Sequence, residues 1–391
     1  MLSFVALGVV VPGIPFLGLG GRWHVLGFGA WWSLAALAAA LALAIAAASS
    51  RRRSDHRLLA ALSVVALSAT AVFGAALTVA SVAAHPEGTE PRYLTLAALA
   101  PLTLPTGAGA NATETYAHTL ENGDPLLVDI YRPSGIASGA SVVLYLHGGG
   151  WILHDRTLHG EWLRALADEG IVVLSADYTL ATADRATWQS AADEVACALV
   201  WAAANAERFG GDPRRIVIAG DSAGGGLALS AAYRAARGAA KDECAESSDG
   251  ATVPIPAGVA GIVPVVDVGE FWANPELSMG RYSRTMVERY LGGSPAQHPD
   301  RVAAVDPTTY LTADAPPTLL VTVEHDHLVP AGGARMLAAA ATTIGVPVTR
   351  VEVPFADHGL LARAEGLGAL IARDALVSFI AGLEPAVAPP R

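Results

Sequence analysis

One serine, Ser222, stands between two glycines in Gly220-Asp221-Ser222-Ala223-Gly224, where the apolar run RIVIA gives way to the small-residue run LALSAAY. A tight strand-to-helix turn at such a G-x-S-x-G string holds the serine in strained geometry and pushes its hydroxyl into the open. A hydroxyl is a poor nucleophile until a base removes its proton, so this chemistry also needs a histidine and a carboxylate that orients it. His358 follows the run VTRVEVPFAD and Asp326 follows TLLVTVEH. Glu324 and Asp357 are alternative carboxylates; Asp326 is preferred because DHLVP places it in the loop just past a strand. The string HGGGW, His147 to Trp151, follows SVVLYL. Its glycines let the backbone come close to a substrate, so that N–H groups of Gly148, Gly149 and Gly150, with that of Ala223, can face an oxyanion.

Such residues need a frame. From Thr113 onward β-branched apolar runs alternate with helical stretches. TETYAHTL and PLLVDIYRP flank ENGD and predict a hairpin turning at Asn122-Gly123. Apolar runs over 141–148, 170–178, 214–221, 257–266, 317–325 and 347–355 predict strands covered on both faces. Helical patterns lie near 159–169, 186–208, 223–238 and 331–344. This alternation predicts an α/β fold, a mostly parallel doubly wound sheet flanked by helices, with its chemistry at the carboxyl ends of the strands. Each candidate residue falls at such an end.

HGGGW, DYTL (177–180), GDSAGG (220–225), PPTLLVTVEHDHLVP (316–330) and FADHGL (355–360) together resemble the hormone-sensitive-lipase-like bacterial carboxylesterases of the α/β-hydrolase superfamily, over about residues 113 to 382. The resemblance implies an α/β-hydrolase fold and hydrolysis of carboxylic esters through an acyl-enzyme. It assigns Ser222 as nucleophile, His358 as base, Asp326 as its partner, and Gly149, Gly150 and Ala223 as oxyanion donors, with Gly148 a further candidate. Val323, at a position often glycine in relatives, and Asp357, directly before the histidine, depart from the pattern without removing a catalytic atom. An amidase or peptidase on the same triad, or an idle hydrolase-like binding module, are the alternatives.

No metal or other cofactor is implied. His154, Asp155 and His159, and the trio His325, Asp326 and His327, lack the spacing of a zinc site. Asp193, on a helical stretch, reads as a solvated position. Between the sixth and seventh strands, at about 267–300, the fold has room for a small lid. Its Phe271, Trp272, Met279, Tyr282, Met286 and Tyr290 fit an acyl-pocket wall and a small core of the insert equally well.

Stretches 24–48 and 58–84 carry no Asp, Glu, Lys or Arg and are long enough to cross a bilayer as helices; 2–21 is a third candidate, kinked at VPGIP. The loop SSRRRSDHR between the first two places its arginines in the cytoplasm and everything after the last span outside. The sequence therefore predicts a multi-pass membrane region over 1–85, a Pro- and Gly-rich linker over 86–112, and an extracytoplasmic catalytic domain over 113–391. Its expected partners are a membrane, through the N-terminal helices, and a small-molecule or lipid ester substrate. Residues 86–391 carry 20 basic and 35 acidic side chains, a balance unsuited to nucleic acid. Cys197 and Cys244 are too few for a disulfide framework. Two unpaired thiols are the simpler reading, with one bridge as the alternative in an oxidising compartment.

Overall fold

The computed structural model describes residues 38–46, 53–83, 109–119, 122–135, 138–241, 253–277, 279–354, 356–364 and 366–386. The chain divides into two compact units. One comprises residues 1–106, 323–327 and 352–371; the other comprises 107–322, 328–351 and 372–391.

The second unit is built on a sheet. Its strands are β1 (Ala112–His118), β2 (Pro125–Tyr131), β3 (Ala140–Leu146), β4 (Val172–Ala176), β5 (Gly211–Asp221), β6 (Gly258–Ile262), β7 (Thr318–Val323) and β8 (Val348–Val353). They hydrogen-bond in the order β1-β2-β4-β3-β5-β6-β7-β8. The β1–β2 and β2–β4 pairs are antiparallel, whereas β3–β4, β3–β5, β5–β6 and β6–β7 are parallel. All eight strands are those expected from the apolar runs. β4, β6 and β7 are buried at every residue, as befits strands with both faces covered. The chain runs from β3 outward to β4 and then returns past β3 to β5, so the strand order reverses at β3. In open α/β sheets the crevice beyond such a reversal is where ligands bind. Both HGGGW, after β3, and Ser222, after β5, stand at that point.

Helices α2 (Gly160–Asp168), α3 (Ser190–Asn205), α4 (Ser222–Ala236) and α8 (Gly332–Thr343) match the helical patterns. The insert forms α5 (Val268–Trp272), α6 (Gly280–Leu291) and α7 (Pro299–Val305). α9 (Leu367–Ala381) went unseen in the sequence: LGALIARDALVSFIA is apolar nearly all round and shows no stripe. Asp193 is not solvated but 2% exposed, because α3 packs on α4 and brings it within 3.3 Å of Arg234 Nη2. Cys197, on the buried side of α3, is disulfide-bonded, which overturns the reading of two unpaired thiols. Cys244, the chain's other cysteine, lies outside the described residues.

In the first unit, α1 (Arg53–Ala83) spans 31 residues and covers residues 58–83 of the stretch 58–84, while residues 38–46 of the stretch 24–48 are helical. The stretch 2–21 lies outside the described residues, as do linker residues 86–108. The side chains described in α1 are those of residues 57–72 and 75. Among the described residues, no helix is long and apolar enough to cross a membrane. The same unit carries the last residue of β7 and the last two of β8, with Glu324 N–H donating to Val353 O at 3.1 Å.

Candidate active site

Ser222 is the first residue of α4 and has φ 54°, a left-handed backbone that a serine adopts only when its surroundings impose it. The imposing contacts are visible. Its carbonyl accepts from Val265 N–H at 3.0 Å, and α4 passes so close to β3 that a methyl on Gly224 would sit 2.1 Å from Leu146 O. Only glycine fits there, which accounts for the second glycine of the G-x-S-x-G string. Ala223 follows in the first turn, where backbone N–H groups have no partner within the helix and the helix dipole favours negative charge. That N–H is suited to an oxyanion.

The HGGGW loop lies beside it: a methyl on Gly148 would approach Ser222 Cβ to 3.2 Å. Gly149, Gly150 and Trp151 have φ of 119°, 59° and 63°, a left-handed run that two glycines make possible. Gly149 O closes the turn by accepting from Ile152 and Leu153 N–H at 3.2 and 3.1 Å. The Gly148 N–H is donated to Asp221 Oδ1 at 2.9 Å, so among the three glycines Gly149 and Gly150 are the stronger candidates for oxyanion donors. Asp221 also accepts from Tyr145 Oη at 2.7 Å and faces His159 Nε2 at 3.5 Å. Burial works to raise its carboxyl, but His159 and the hydrogen bonds from His159 and Tyr145 outweigh it and hold the group below the usual carboxylate range. Burial likewise pushes the His147 imidazole down.

In the first unit, His358 Nδ1 meets Asp326 Oδ2 at 2.8 Å. A second pair runs alongside it, His327 Nδ1 to Asp357 Oδ2 at 2.5 Å, with both residues buried. Asp357 Oδ1 further accepts from His327 N–H at 3.1 Å and His358 N–H at 2.7 Å. Asp357 is therefore committed to His327 and to backbone, Glu324 is exposed, and Asp326 is the carboxylate on the His358 ring. A proton on Nδ1, donated to Asp326, puts the basic lone pair on Nε2, the tautomer a general base needs. His159 and His327, both metal candidates by composition, are engaged by carboxylates; Asp155 instead caps a turn at Thr157.

The insert aromatics divide. Phe271, Met286 and Tyr290 are buried in the core, whereas Tyr282 is 40% exposed and Trp272 Nε1 donates to Glu288 at 3.0 Å. Tyr290 stacks on Trp151 with ring centres 4.2 Å apart and planes 6° apart, and Phe271 meets the same indole edge-on at 6.2 Å. Met286 fills the space over Gly150 that a methyl would need. These three pack against the glycine loop from behind. Sequence reasoning also missed Asp221, Tyr178 and Glu194 as groups serving this loop; DYTL was the one signal that touched any of them.

Residues 128–340, over half the chain, match the BD-FAE family. The esterase LipC of Mycobacterium tuberculosis is 31% identical over 269 residues, 66% of this chain and 64% of LipC. LipQ of the same organism is 30% identical over 237 residues, 59% of this chain and 53% of LipQ. The chain thus spans less than two thirds of the length of these two relatives. Among solved structures, a thermophilic esterase of Thermogutta terrifontis with butyrate bound superposes with a TM-score of 0.55 at 23% identity, covering 71% of this chain and 94% of that one. A bacterial heroin esterase gives 0.59 at 25% identity, over 72% and 86%. The fold is that of the α/β-hydrolases, and the chain belongs to the BD-FAE family.

Proposed function

We propose that this protein is a serine hydrolase of carboxylic esters that works through an acyl-enzyme. The observation that carries this reading is Ser222, held at φ 54° on the first turn of α4 beside the HGGGW glycine loop. Ser222 Oγ attacks the ester carbonyl, and His358 takes the proton and returns it to the departing alkoxide. Asp326 keeps the imidazole oriented through the 2.8 Å contact at Nδ1. Gly149, Gly150 and Ala223 donate to the oxyanion, and water then repeats the sequence to release the acid. The similar proteins are named esterases, which favours an ester over an amide. Acetyl to hexanoyl esters are the preferred substrates in this reading, since the insert is small and its Phe271, Met286 and Tyr290 are spent behind the glycine loop.

Residues 1–85 form the membrane region, 86–112 a linker and 113–391 the catalytic domain, with its lid at about 267–300. What supports the anchor is α1, whose Leu58, Val64 and Val65 are 62%, 62% and 46% exposed with no polar side chain in their place. The disulfide at Cys197 supports a catalytic domain outside the cytoplasm, where such bonds persist. The test is turnover of p-nitrophenyl esters of increasing acyl length by the full chain in detergent. Ser222→Ala and His358→Ala are expected to lose several orders of magnitude each while still folding, as members of one catalytic unit do. Near-parent activity in either variant removes the assignment. A C-terminal reporter active only outside the membrane tests the topology; a cytoplasmic signal overturns it.

A further inference from the structure

The peptide unit joining His147 to Gly148 is held at both of its polar atoms. Its carbonyl oxygen accepts from Tyr178 Oη at 2.8 Å, and its N–H donates to Asp221 Oδ1 at 2.9 Å. The next two peptide units carry the N–H groups of Gly149 and Gly150. A run of glycines has no side chains by which to be held, and it can rotate through conformations closed to other residues. Those two peptide units are also held at their carbonyl oxygens, Gly148 O by His147 Nδ1 at 2.7 Å and Gly149 O by Ile152 and Leu153 N–H, so the direction of the two amides depends on the gripped peptide before them, on the His147 ring against which Tyr178 stacks, and on Trp151 after them, which Tyr290 and Phe271 pack in place.

Both groups that grip the peptide are themselves fixed. Asp221 sits at the position that caps α4, where an aspartate would ordinarily bond the helix's own amides, yet its side chain makes no such bond. It turns instead to Gly148, Tyr145 and His159. The Tyr178 ring stacks on the His147 imidazole, 4.5 Å between centres and 13° between planes. The following residue is anchored from α3: Thr179 N–H and Oγ1 donate to the two carboxylate oxygens of Glu194 at 2.7 and 2.6 Å, and Glu194 is fully buried. Burying a carboxylate is costly unless its oxygens are hydrogen-bonded, and Glu194 meets that need on this loop residue, with the Arg185 charge nearby.

We propose that Tyr178 and Asp221 are positioning residues that lock the His147–Gly148 peptide and so aim the Gly149 and Gly150 amides at the oxyanion. The inference rests on reading HGGGW as the oxyanion loop of a Ser222 hydrolase. Neither residue touches the reacting atoms, so the effect belongs in the transition state and leaves substrate binding alone.

The decisive variant is Tyr178→Phe, which keeps the ring and its stack and removes one hydroxyl. In the full chain, with p-nitrophenyl acetate, kcat is expected to fall about tenfold to a hundredfold, the scale of a small misalignment of catalytic groups, with KM and melting temperature close to the parent's. Affinity for a trifluoromethyl ketone, whose serine adduct places an oxyanion in the same hole, should fall by the same factor. Asp221→Asn retains an oxygen to accept from Gly148 and should keep most of the activity; Asp221→Ala should lose it. A Ser222-dependent activity left unchanged by Tyr178→Phe, or a loss appearing only in KM or melting temperature, overturns the lock while leaving the hydrolase reading intact. Activity that survives Ser222→Ala overturns both.

Discussion

Gly224→Ala adds a single methyl group three residues into α4, and the structure says how far the helix must then move. The methyl would lie 2.1 Å from Leu146 O, 2.5 Å from His147 O and 2.6 Å from Leu146 C, where contacts under 3.0 Å essentially never occur. All three obstacles are backbone atoms, so no side chain can swing away. Relief requires α4 and the end of β3 to separate by about 1 Å, an overpacking strain worth about 1–3 kcal/mol. In a domain of this size that lowers the melting temperature by roughly 2–4 °C per kcal/mol. The chemistry suffers more. Ser222 rides on α4, and Gly149 and Gly150 continue from the end of β3, so the displacement separates nucleophile from oxyanion donors; about 1 Å of such misplacement costs on the order of a hundredfold in rate. The assay is kcat/KM on p-nitrophenyl acetate, read beside a thermal melt. Gly382→Ala is the control, since its methyl would meet nothing nearer than 3.6 Å and should leave both quantities unchanged. Parent-like rate and melting temperature in Gly224→Ala would refute the close approach of α4 to β3 on which the elbow depends.

Asp326→Asn should be severely impaired in kcat with little change in stability, whereas Asp357→Asn, which weakens a buried carboxylate holding His327 and two backbone amides, should show mainly in the melting temperature. A larger kcat loss in Asp357→Asn would reassign the acid. The Asp221 carboxyl is held below its ordinary range, so the folded state binds that proton less readily than the unfolded chain. Its contribution to stability is complete above about pH 4 and is lost as pH falls through the lower folded value, and Asp221→Asn should flatten that acid limb in a urea titration across pH. A fragment beginning near residue 107 should remain soluble without detergent and keep the parent's kcat on acetyl esters; activity that requires residues 1–106 would show that the first unit's N-terminal part contributes to turnover.

The strands were legible because β-branched runs buried on both faces leave an unbroken apolar signal, and the four crossover helices because helix-forming stretches fall between successive strand runs. Ser222 and HGGGW were legible for a different reason: a nucleophile pushed out of a turn and a backbone brought against it both demand glycine at fixed positions, and glycine is visible in a string. What stayed hidden has no such demand. Cys197 and Cys244 gave no sign of bonding, because sequence separation says nothing about whether two backbones approach within disulfide reach. Asp193 looked solvated since its burial depends on Arg234, a residue 41 positions away on the neighbouring helix. α9 carried too much apolar surface to reveal which side faces inward.

The choice of acid shows most sharply where sequence stops and packing begins. Asp326-His327 and Asp357-His358 are two identical dipeptides, each in a loop just past a strand, and chemistry alone permits either aspartate to serve either histidine. The structure crosses them, Asp326 to His358 and His327 to Asp357. The second pair is sealed, its side chains 1% and 0% exposed, while His358 retains 10%. A buried carboxylate must have its lone pairs filled, and Asp357 fills them with one imidazole and two amides, which pins the two loops together at the residue next to the base. Asp326 Oδ2 meets His358 Nδ1 at 2.8 Å. Burial thus separates the two pairs, one a sealed clasp between the loops and the other a His–Asp couple whose imidazole keeps some exposure.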